Sequence, residues 1–569
     1  MLHWPASLAP RRWYADALVA GTLVAALYGL MHLSRLAPGT FSAGGINLEP
    51  YHLPYFAFRS LLRMLAAYVL SLAFSLGYGY VAAYNARAER ILVPTLDVLQ
   101  SIPVLSFMPS VVLALVAIFP HGNMGTELAS IILIFTGQAW NMTFSFYHSL
   151  RTIPSELREV AAIQQMNGWQ RFRTLELPFS TVGLVWNSMM SWAGGWFFLM
   201  ASEMFALGDN QFTLPGLGSY LQAAANAGNI RAVVWGVGTL VLVIVLLDLL
   251  IWRPVVAWAD KFKIELIQSS SPPRSAVLTI LRRSRLVEAL HDRVLLPLDR
   301  GLDRLVARRL TPNPRTSASE PAGAAMSVFL SVVFAGAALW GVWKGIRLLG
   351  SVPLNMVPTL LLATMASLLR VATATAIGVL WTVPVGVLIG SNPKIAAYLQ
   401  PVVLVLASIP ATALFPVLLL VLLRLPGGLS LAAIVLMLMG TQWYILFNVI
   451  AGASAIPADL KEAGVVYHLT GWQRWKTLIL PAIFPHLVTG LVTASGGAWN
   501  ATIVSEYVHF HGETHSTVGL GALIAGATES NNFPLLLAAT LVLAVMVVSI
   551  NRLVWRPLYH LAETKYSLL

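Results

Sequence analysis

The chain has 569 residues, of which 57% are apolar and only 11% charged, and its mean hydropathy is +0.73. An ordinary soluble domain carries about 25% charged residues, so this composition excludes a soluble globular protein and predicts an all-α, polytopic membrane protein. The lack of Cys excludes disulfides and thiolate metal sites, and the net charge of +12 fits basic loops against anionic lipid rather than a nucleic-acid partner.

A membrane span needs about 20 apolar residues. Arg11 and Arg12 precede the first candidate, 16–36, which reads as a retained helix because no small-residue cleavage site follows it. The remaining candidates in the first half are 58–82, 97–119, 128–150, 180–206 and 231–252. The second half offers 325–346, 358–390, 398–424, 429–452, 484–508 and 534–555, which brings the expectation to about twelve spans. The expected division is an N-terminal span and outer loop over 1–57, a first transmembrane domain over 58–252, a basic cytoplasmic linker over 253–324, the first span of the second half over 325–357, a second transmembrane domain over 358–557 and a tail over 558–569.

Lys and Arg set the orientation. With the N-terminus in the cytoplasm, the loop holding Arg87 and Arg90 and the tail after Trp252 also fall inside, while 37–57, 120–127, 207–230 and 509–533 fall outside and carry no Lys or Arg. Both termini are therefore expected in the cytoplasm. In the linker, Leu286, Leu290, Val294, Leu298, Leu302 and Leu305 recur at helical spacing among arginines, as in a basic amphipathic helix on the inner leaflet. The Pro/Ser/Thr-rich run 311–321 that follows reads as a flexible tether.

Two polar islands interrupt the apolar pattern: SELREVAAIQQMNGWQRFRTLELP from Ser155 to Pro178, and ADLKEAGVVYHLTGWQRWKTLILP from Ala458 to Pro481. Glu159 matches Glu462, Gly168 matches Gly471 and Pro178 matches Pro481, each at an offset of 303 residues. Each island reads as a short helix, a turn and a second helix. Ser155 is the expected N-cap, Asn167-Gly168 and Thr470-Gly471 the expected turns, and Pro178 and Pro481 the boundary of the next span.

The duplication extends well beyond the islands. Trp140 matches Trp443, Ser202-Glu203 matches Ser505-Glu506, Gly216-Leu217-Gly218 matches Gly519-Leu520-Gly521 and Trp252-Arg253-Pro254 matches Trp555-Arg556-Pro557. Upstream the offset becomes 307, so that Arg63 matches Arg370 and Ser101-Ile102-Pro103 matches Ser408-Ile409-Pro410. An even number of spans per half and a cytoplasmic tether make the repeats parallel.

The islands resemble the loop E-A-A-x3-G-x9-I-x-L-P of ATP-binding cassette (ABC) importer permeases, with 19 residues from Glu159 to Pro178 and from Glu462 to Pro481. The wording WQRFRTLELP and the downstream S-E and G-L-G elements are most similar to the nitrate/sulfonate/taurine branch, and the fused pair resembles duplicated anion-import permeases with type I folds. Where that family has Gly six residues after the Glu, this chain has Gln165 and His468, so the turn is expected later, at Gly168 and Gly471.

The resemblance implies an inner-membrane permease of a bacterium that is not itself an enzyme. Two separate ATP-binding subunits would bind ATP and Mg, an extracytoplasmic binding protein would deliver a small anion, and the hairpins would be the coupling helices. The family motif maps ATPase coupling onto Glu159, Ala161, Gly168 and Pro178, and onto Glu462, Ala463, Gly471 and Pro481. The chain carries no G-x4-G-K-[S/T] phosphate loop of its own and no cofactor is expected in it.

The span after each hairpin is the expected lining of a path between the halves. Its candidates are Asn187, Ser191 and Glu203 in the first half and Ser495, Asn500 and Glu506 in the second. Arg63 and Arg370 join them because ionisable groups at membrane depth are costly. Two roles stay open for these arginines: pairing as Arg63–Glu203 and Arg370–Glu506, or attracting an anion. The outer run HFHGETH, 509–515, has the residue types of a zinc ligand set, but it is absent from the first half and no metal is expected. A secondary transporter of twelve spans is the alternative function, which would need no such hairpins. A membrane enzyme would need a buried His/carboxylate cluster, and the pattern has none.

Overall fold

The computed structural model describes residues 46–101, 103–119, 123–203, 214–262, 275–284, 343–510, 513–530 and 532–565, with isolated positions between 288 and 340. The expected span 16–36, nearly all of 325–346 and most of the linker lie outside these residues.

The first half opens with α1 (Leu53–Tyr84), whose Pro54 is tolerated in the first turn because those N–H groups have no helical partner. Asn85 ends it and starts α2 (Ala86–Ser101) by accepting from the Arg87 and Ala88 N–H groups at 3.0 and 3.1 Å. After a 3-10 turn at Val104–Phe107 come α3 (Met108–Ile118) and α4 (Met124–Arg151). The hairpin arms are α5 (Ser155–Ile163) and α6 (Gly168–Arg171), and the chain continues into α7 (Leu177–Glu203). Then follow α8 (Leu217–Asn226), α9 (Ile230–Leu247), α10 (Arg253–Ala259) and α11 (Ala276–Arg283).

The second half repeats this order as α12 (Val357–Ser391), α13 (Pro393–Ser408), α14 (Ala411–Leu422), α15 (Gly428–Ser454), α16 (Ala458–Val466), α17 (Gly471–Arg474) and α18 (Leu480–Ser505). It continues with an antiparallel pair, β1 (Tyr507–Phe510) and β2 (Glu513–Ser516), with Tyr507 opposite Ser516 and Phe510 opposite Glu513. It ends with α19 (Leu520–Glu529), α20 (Phe533–Ile550) and α21 (Arg556–Lys565).

Each half is built on three long helices packed side by side: α1, α4 and α7 in one, α12, α15 and α18 in the other. Small residues permit the close approach, as expected where helices associate in lipid. A Cβ at Gly79 would stand 2.9 Å from Phe146, and one at Gly386 would stand 2.7 Å from Val449. The capping residues repeat as well. Asn229 accepts from the Ala232 N–H at 3.1 Å and Asn532 from the Leu535 N–H at 3.2 Å, starting α9 and α20.

Among the described residues, six helices are long and apolar enough to cross a membrane: Pro50–Tyr84, Ile230–Phe262, Leu354–Ser391, Gly428–Ser454, Gly471–Ser505 and Phe533–Ala562. In the first half α4 and α7, of 28 and 27 residues, stand at the places that α15 and α18 hold in the second.

Two expectations are corrected. The spans drawn at 97–119 and 398–424 are each two short helices, because Pro103 and Pro410 lack the N–H that would continue the ladder and hold extended backbone. The loops 207–230 and 509–533 contain α8 and α19, ten-residue helices buried against the spans, and the second of them also holds the β pair. Pro178 and Pro481 stand at the second residue of α7 and α18, at the expected boundary. Each lies two residues past a five-residue π-helical turn, Phe172–Glu176 or Trp475–Ile479, through which the hairpin arm runs into the span. Pro254 and Pro557 follow such turns at Asp248–Trp252 and Asn551–Trp555. In all four places the carbonyl four residues before the proline falls in the widened turn, so the ring is accommodated without breaking the helix.

Candidate functional site

The two hairpins project from their halves. Glu159 and Glu462 are exposed, and among the described residues neither carboxylate has a hydrogen-bond or ion-pair partner. Exposed apolar side chains surround them: Ile163 at 81% in the first copy, and Val465, Val466, Tyr467 and Trp472 at 71–78% in the second.

The turn chemistry differs from expectation. The left-handed residue is Gln165 in one copy and His468 in the other, each with φ 49°, at the place six residues after the Glu. Gly168 is not in the left-handed region, whereas Gly471 is, also at φ 49°. The N-cap of α5 is Pro154 rather than Ser155, and no side chain caps that end. Asn167 instead caps α6 in a reciprocal pair with Gln170, at 2.8 and 2.9 Å, while Thr470 makes no such bond in the second copy.

Ala161 is buried where the two arms meet, and its counterpart Gly464 is buried too, with room for a Cβ only 3.1 Å from Leu478. These two positions therefore shape the hairpin, while Ala463, half-buried, and Gly168, exposed, lie nearer its surface. Arg158 donates to the Leu150 carbonyl at 2.9 Å, tying α5 to the end of α4. The first hairpin has an anchor that the second lacks: buried Glu176 accepts from Arg171 and from Tyr84, each at 2.6 Å, where the second copy has Ile479.

The second cluster joins the far ends of the spans. Arg63 lies 2.6 Å from Glu203 and Arg370 lies 2.9 Å from Glu506. Ser60 and Ser367 each donate to the same carboxylate, at 2.7 Å, and accept the N–H of Leu217 or Leu520 at 3.0 or 2.9 Å. Gly218 and Gly521 donate their N–H groups to Glu203 and Glu506 at 2.8 and 2.9 Å. Each arginine also donates to a carbonyl, Pro215 at 2.9 Å or Val518 at 2.7 Å.

Thus the free N–H groups and positive end of α8 and of α19 are satisfied by a glutamate from a neighbouring helix, which an arginine neutralises. A Cβ at Gly216 or Gly519 would collide with the carboxylate, which is why glycine begins each G-L-G. Both arginines are paired in this staple, the first of the two roles expected of them.

Sequence reasoning missed the partners that differ between halves. In the first, Glu127 binds Arg63 at 2.5 Å and Arg59 at 2.5 Å. In the second, Ser430 stands at the Glu127 place and binds Arg370 at 3.1 Å, with Thr517 at 2.8 Å. The repeat carries no signal for these residues because the chemistry changes between copies.

Of the path candidates, Asn187 is half-buried and donates to its own helix at Gly183, 3.0 Å away, while Ser191 and Ser495 are buried. Asn500 reaches across the halves and accepts from the Leu105 N–H at 3.3 Å. The equivalent contact in the other direction joins Thr412 to the Phe197 carbonyl at 3.5 Å.

The sequence profile of a family described as binding-protein-dependent transport system inner membrane component matches the chain twice, over residues 75–252 and 382–556, more than half its length. The bicarbonate transport system permease protein CmpB of Synechococcus elongatus is 29% identical over 191 residues, 34% of this chain and 66% of that protein. The nitrate import permease protein NrtB of Synechocystis is 27% identical over 189 residues, 33% of this chain and 65% of that protein. The putative aliphatic sulfonates transport permease protein SsuC of Bacillus subtilis is 25% identical over 162 residues, 28% of this chain and 55% of that protein. The chain spans just under two thirds of the length of the first two and about half of the third.

Proposed function

This chain belongs to the binding-protein-dependent transport inner-membrane components, and from that membership we propose that its two halves together form the complete translocation path of an ATP-driven importer. The cargo is a small anion, moved into the cytoplasm by alternating access. The names of the matched relatives support bicarbonate, nitrate or a sulfonate as the class of solute. The protein sits in the bacterial inner membrane with both termini in the cytoplasm. Two ATP-binding subunits, which carry ATP and Mg, seat on the hairpins, and an extracytoplasmic binding protein delivers the solute.

The observation that carries this reading is the pair of projecting hairpins with unpartnered glutamates at equivalent positions. Glu159, Gly168, Pro178, Glu462, Ala463, Gly471 and Pro481 set the docking geometry, and Ala161 holds the arms of the first hairpin at the right separation. When the ATPases close, each hairpin is pushed. The π-helical turns at Phe172–Glu176 and Trp475–Ile479 pass that displacement into α7 and α18 without a flexible joint. A secondary transporter would leave these hairpins without a task.

Glu159→Arg combined with Glu462→Arg tests the reading. The expected result is loss of ATPase co-purification and of ATP-dependent uptake, with the permease still folded in the membrane. Normal uptake by the double variant would refute it.

A further inference from the structure

We propose that the two hairpins divide the work of the importer: the first is a post fixed to its half, and the second is the lever that moves when the ATP-binding subunits close. Tyr84, Glu89, Tyr147 and Glu176 are then positioning residues of the transport step. This division of labour rests on the importer reading above and adds which hairpin transmits motion.

The base of the first hairpin is clamped to its neighbours by polar bonds. Glu176 lies in the π-helical turn itself and is wholly buried. It accepts from Tyr84, the last residue of α1, and from Arg171 of α6, each at 2.6 Å. The Arg171 guanidinium also stands 4.9 Å from the centre of the Tyr84 ring, and Phe172 packs edge-on against Tyr80 at 5.8 Å. Arg158 ties α5 to the end of α4 through the Leu150 carbonyl, at 2.9 Å. Beside them Glu89 of α2 accepts from Tyr147 of α4 at 2.5 Å and lies 3.7 Å from Arg151. Hydrogen bonds to a carboxylate are strong and directional, and a buried carboxylate that loses its partners is left stranded at high cost. The ends of α1, α2 and α4, both arms and the start of α7 are therefore held as one body.

The second copy has none of the carboxylates and phenols of this clamp. Ser391 stands at the place of Tyr84, Ala396 at that of Glu89, Ile450 at that of Tyr147, Ser454 at that of Arg151 and Ile479 at that of Glu176. Arg474 keeps the place of Arg171, but among the described residues its side chain has no partner. Instead, Ile479 packs in an apolar cluster with Val449, Ala453, Ile456 and Ile483, and Ser454 donates to the Gly390 carbonyl at 3.1 Å. Apolar contact has no preferred direction, so packed helices slide by about 1–2 Å without breaking a bond.

The tips differ in the matching sense. Trp169 is half-buried and stacks on Phe172 with ring centres 5.8 Å apart, whereas its counterpart Trp472 is exposed beside Val465, Val466 and Tyr467. An ATP-binding subunit gains more by burying the second tip than the first. The hairpin that is loose at its base is thus the one held more firmly where force enters.

The chain has no Cys, so two introduced thiols carry a spin-label pair. Arg87→Cys with Glu156→Cys reports the first hairpin against α2, and Lys394→Cys with Asp459→Cys reports the second against α13; all four positions are exposed. Each full-length permease is assembled with its ATP-binding subunits. Distances between labels are measured by double electron–electron resonance without nucleotide and after trapping with ATP and vanadate. The second pair is expected to shift by more than the width of its own distribution, and the first to stay within it. Glu176→Ile with Tyr84→Ser gives the first base the residues of the second, and the first pair is then expected to shift too. Tyr84→Phe removes one bond and keeps the ring; it is expected to broaden the first distribution should the double replacement fail to fold. Ile479→Glu with Ser391→Tyr rebuilds the clamp around Arg474 and is expected to hold the second pair still.

Equal shifts of the two pairs in the otherwise unaltered permease would overturn the division of labour. So would a first pair that stays fixed once its clamp is removed, or a second pair that still moves once its base is clamped. If the importer reading fails, no complex with ATP-binding subunits forms, and both readings fall together; equal response in an assembled complex sinks this one alone.

Discussion

Arg63 and Arg370 show how one residue pair is kept while its surroundings change. Both sit in the first half of a long helix, and both satisfy a glutamate that caps a short helix from outside. In the first half Glu127 gives Arg63 a second carboxylate; in the second half Arg370 has, among the described residues, Glu506 alone, with hydroxyls beside it. Removing one member of a buried pair costs about 3–5 kcal/mol because a charge is left stranded. Glu506→Ala should therefore lower thermal stability in detergent more than Glu203→Ala, which leaves Arg63 with Glu127. Equal losses would show that helix capping, not the arginine, dominates the cost. The pairs themselves were legible from the offsets, since a carboxylate and a guanidinium recurring at span ends ask for each other. Glu127, Arg59 and Thr517 were not, because contacts between residues more than sixty apart in the chain leave no local pattern.

Among the elements, the hairpin turn and the broken helices carry the lesson. The helix–turn–helix reading of both islands holds, but the left-handed residues are Gln165 and His468, with Gly471 in the second copy alone. Backbone geometry followed the length of the first arm rather than the nearest glycine. Gly168→Ala meets open space and ordinary backbone, so it should leave stability unchanged. Gly471→Ala should cost about 1–2 kcal/mol, the ordinary penalty for a Cβ in the left-handed region. His468→Gly should recover a similar amount in the same assay. A destabilised Gly168→Ala, or an indifferent Gly471→Ala, would contradict this assignment of the turn. The breaks at Pro103 and Pro410 were visible in the sequence as S-I-P, but an unbroken apolar run masked them, since hydropathy counts residues and not backbone donors.

Taken whole, the molecule is two copies of one plan, matched down to asparagine caps, π-helical turns and contacts across the halves. The proposed importer needs both hairpins on one face of the membrane. Glu156→Cys and Asp459→Cys, each alone in the cysteine-free chain, should react with an impermeant thiol reagent in inside-out vesicles and stay protected in intact cells. Reaction of one from each side would break the parallel arrangement and with it the importer mechanism. The first hairpin, anchored by Glu176, should be the stiffer of the two, and slower amide exchange over 155–176 than over 458–479 would show it.

By itself the sequence determined the membrane setting, the duplication and the hairpins, because each is written in composition or in a fixed offset; it offered the Arg–Glu pairs as one of two readings, and the structure shows them formed. Only the tertiary structure decided which faces are open and which are packed. Ser191 and Ser495 are buried, Thr489 and Thr493 are exposed, and helical spacing marks both kinds alike. The difference lies in what the neighbouring helices bring to that face, and a helix does not record its neighbours in its own residues.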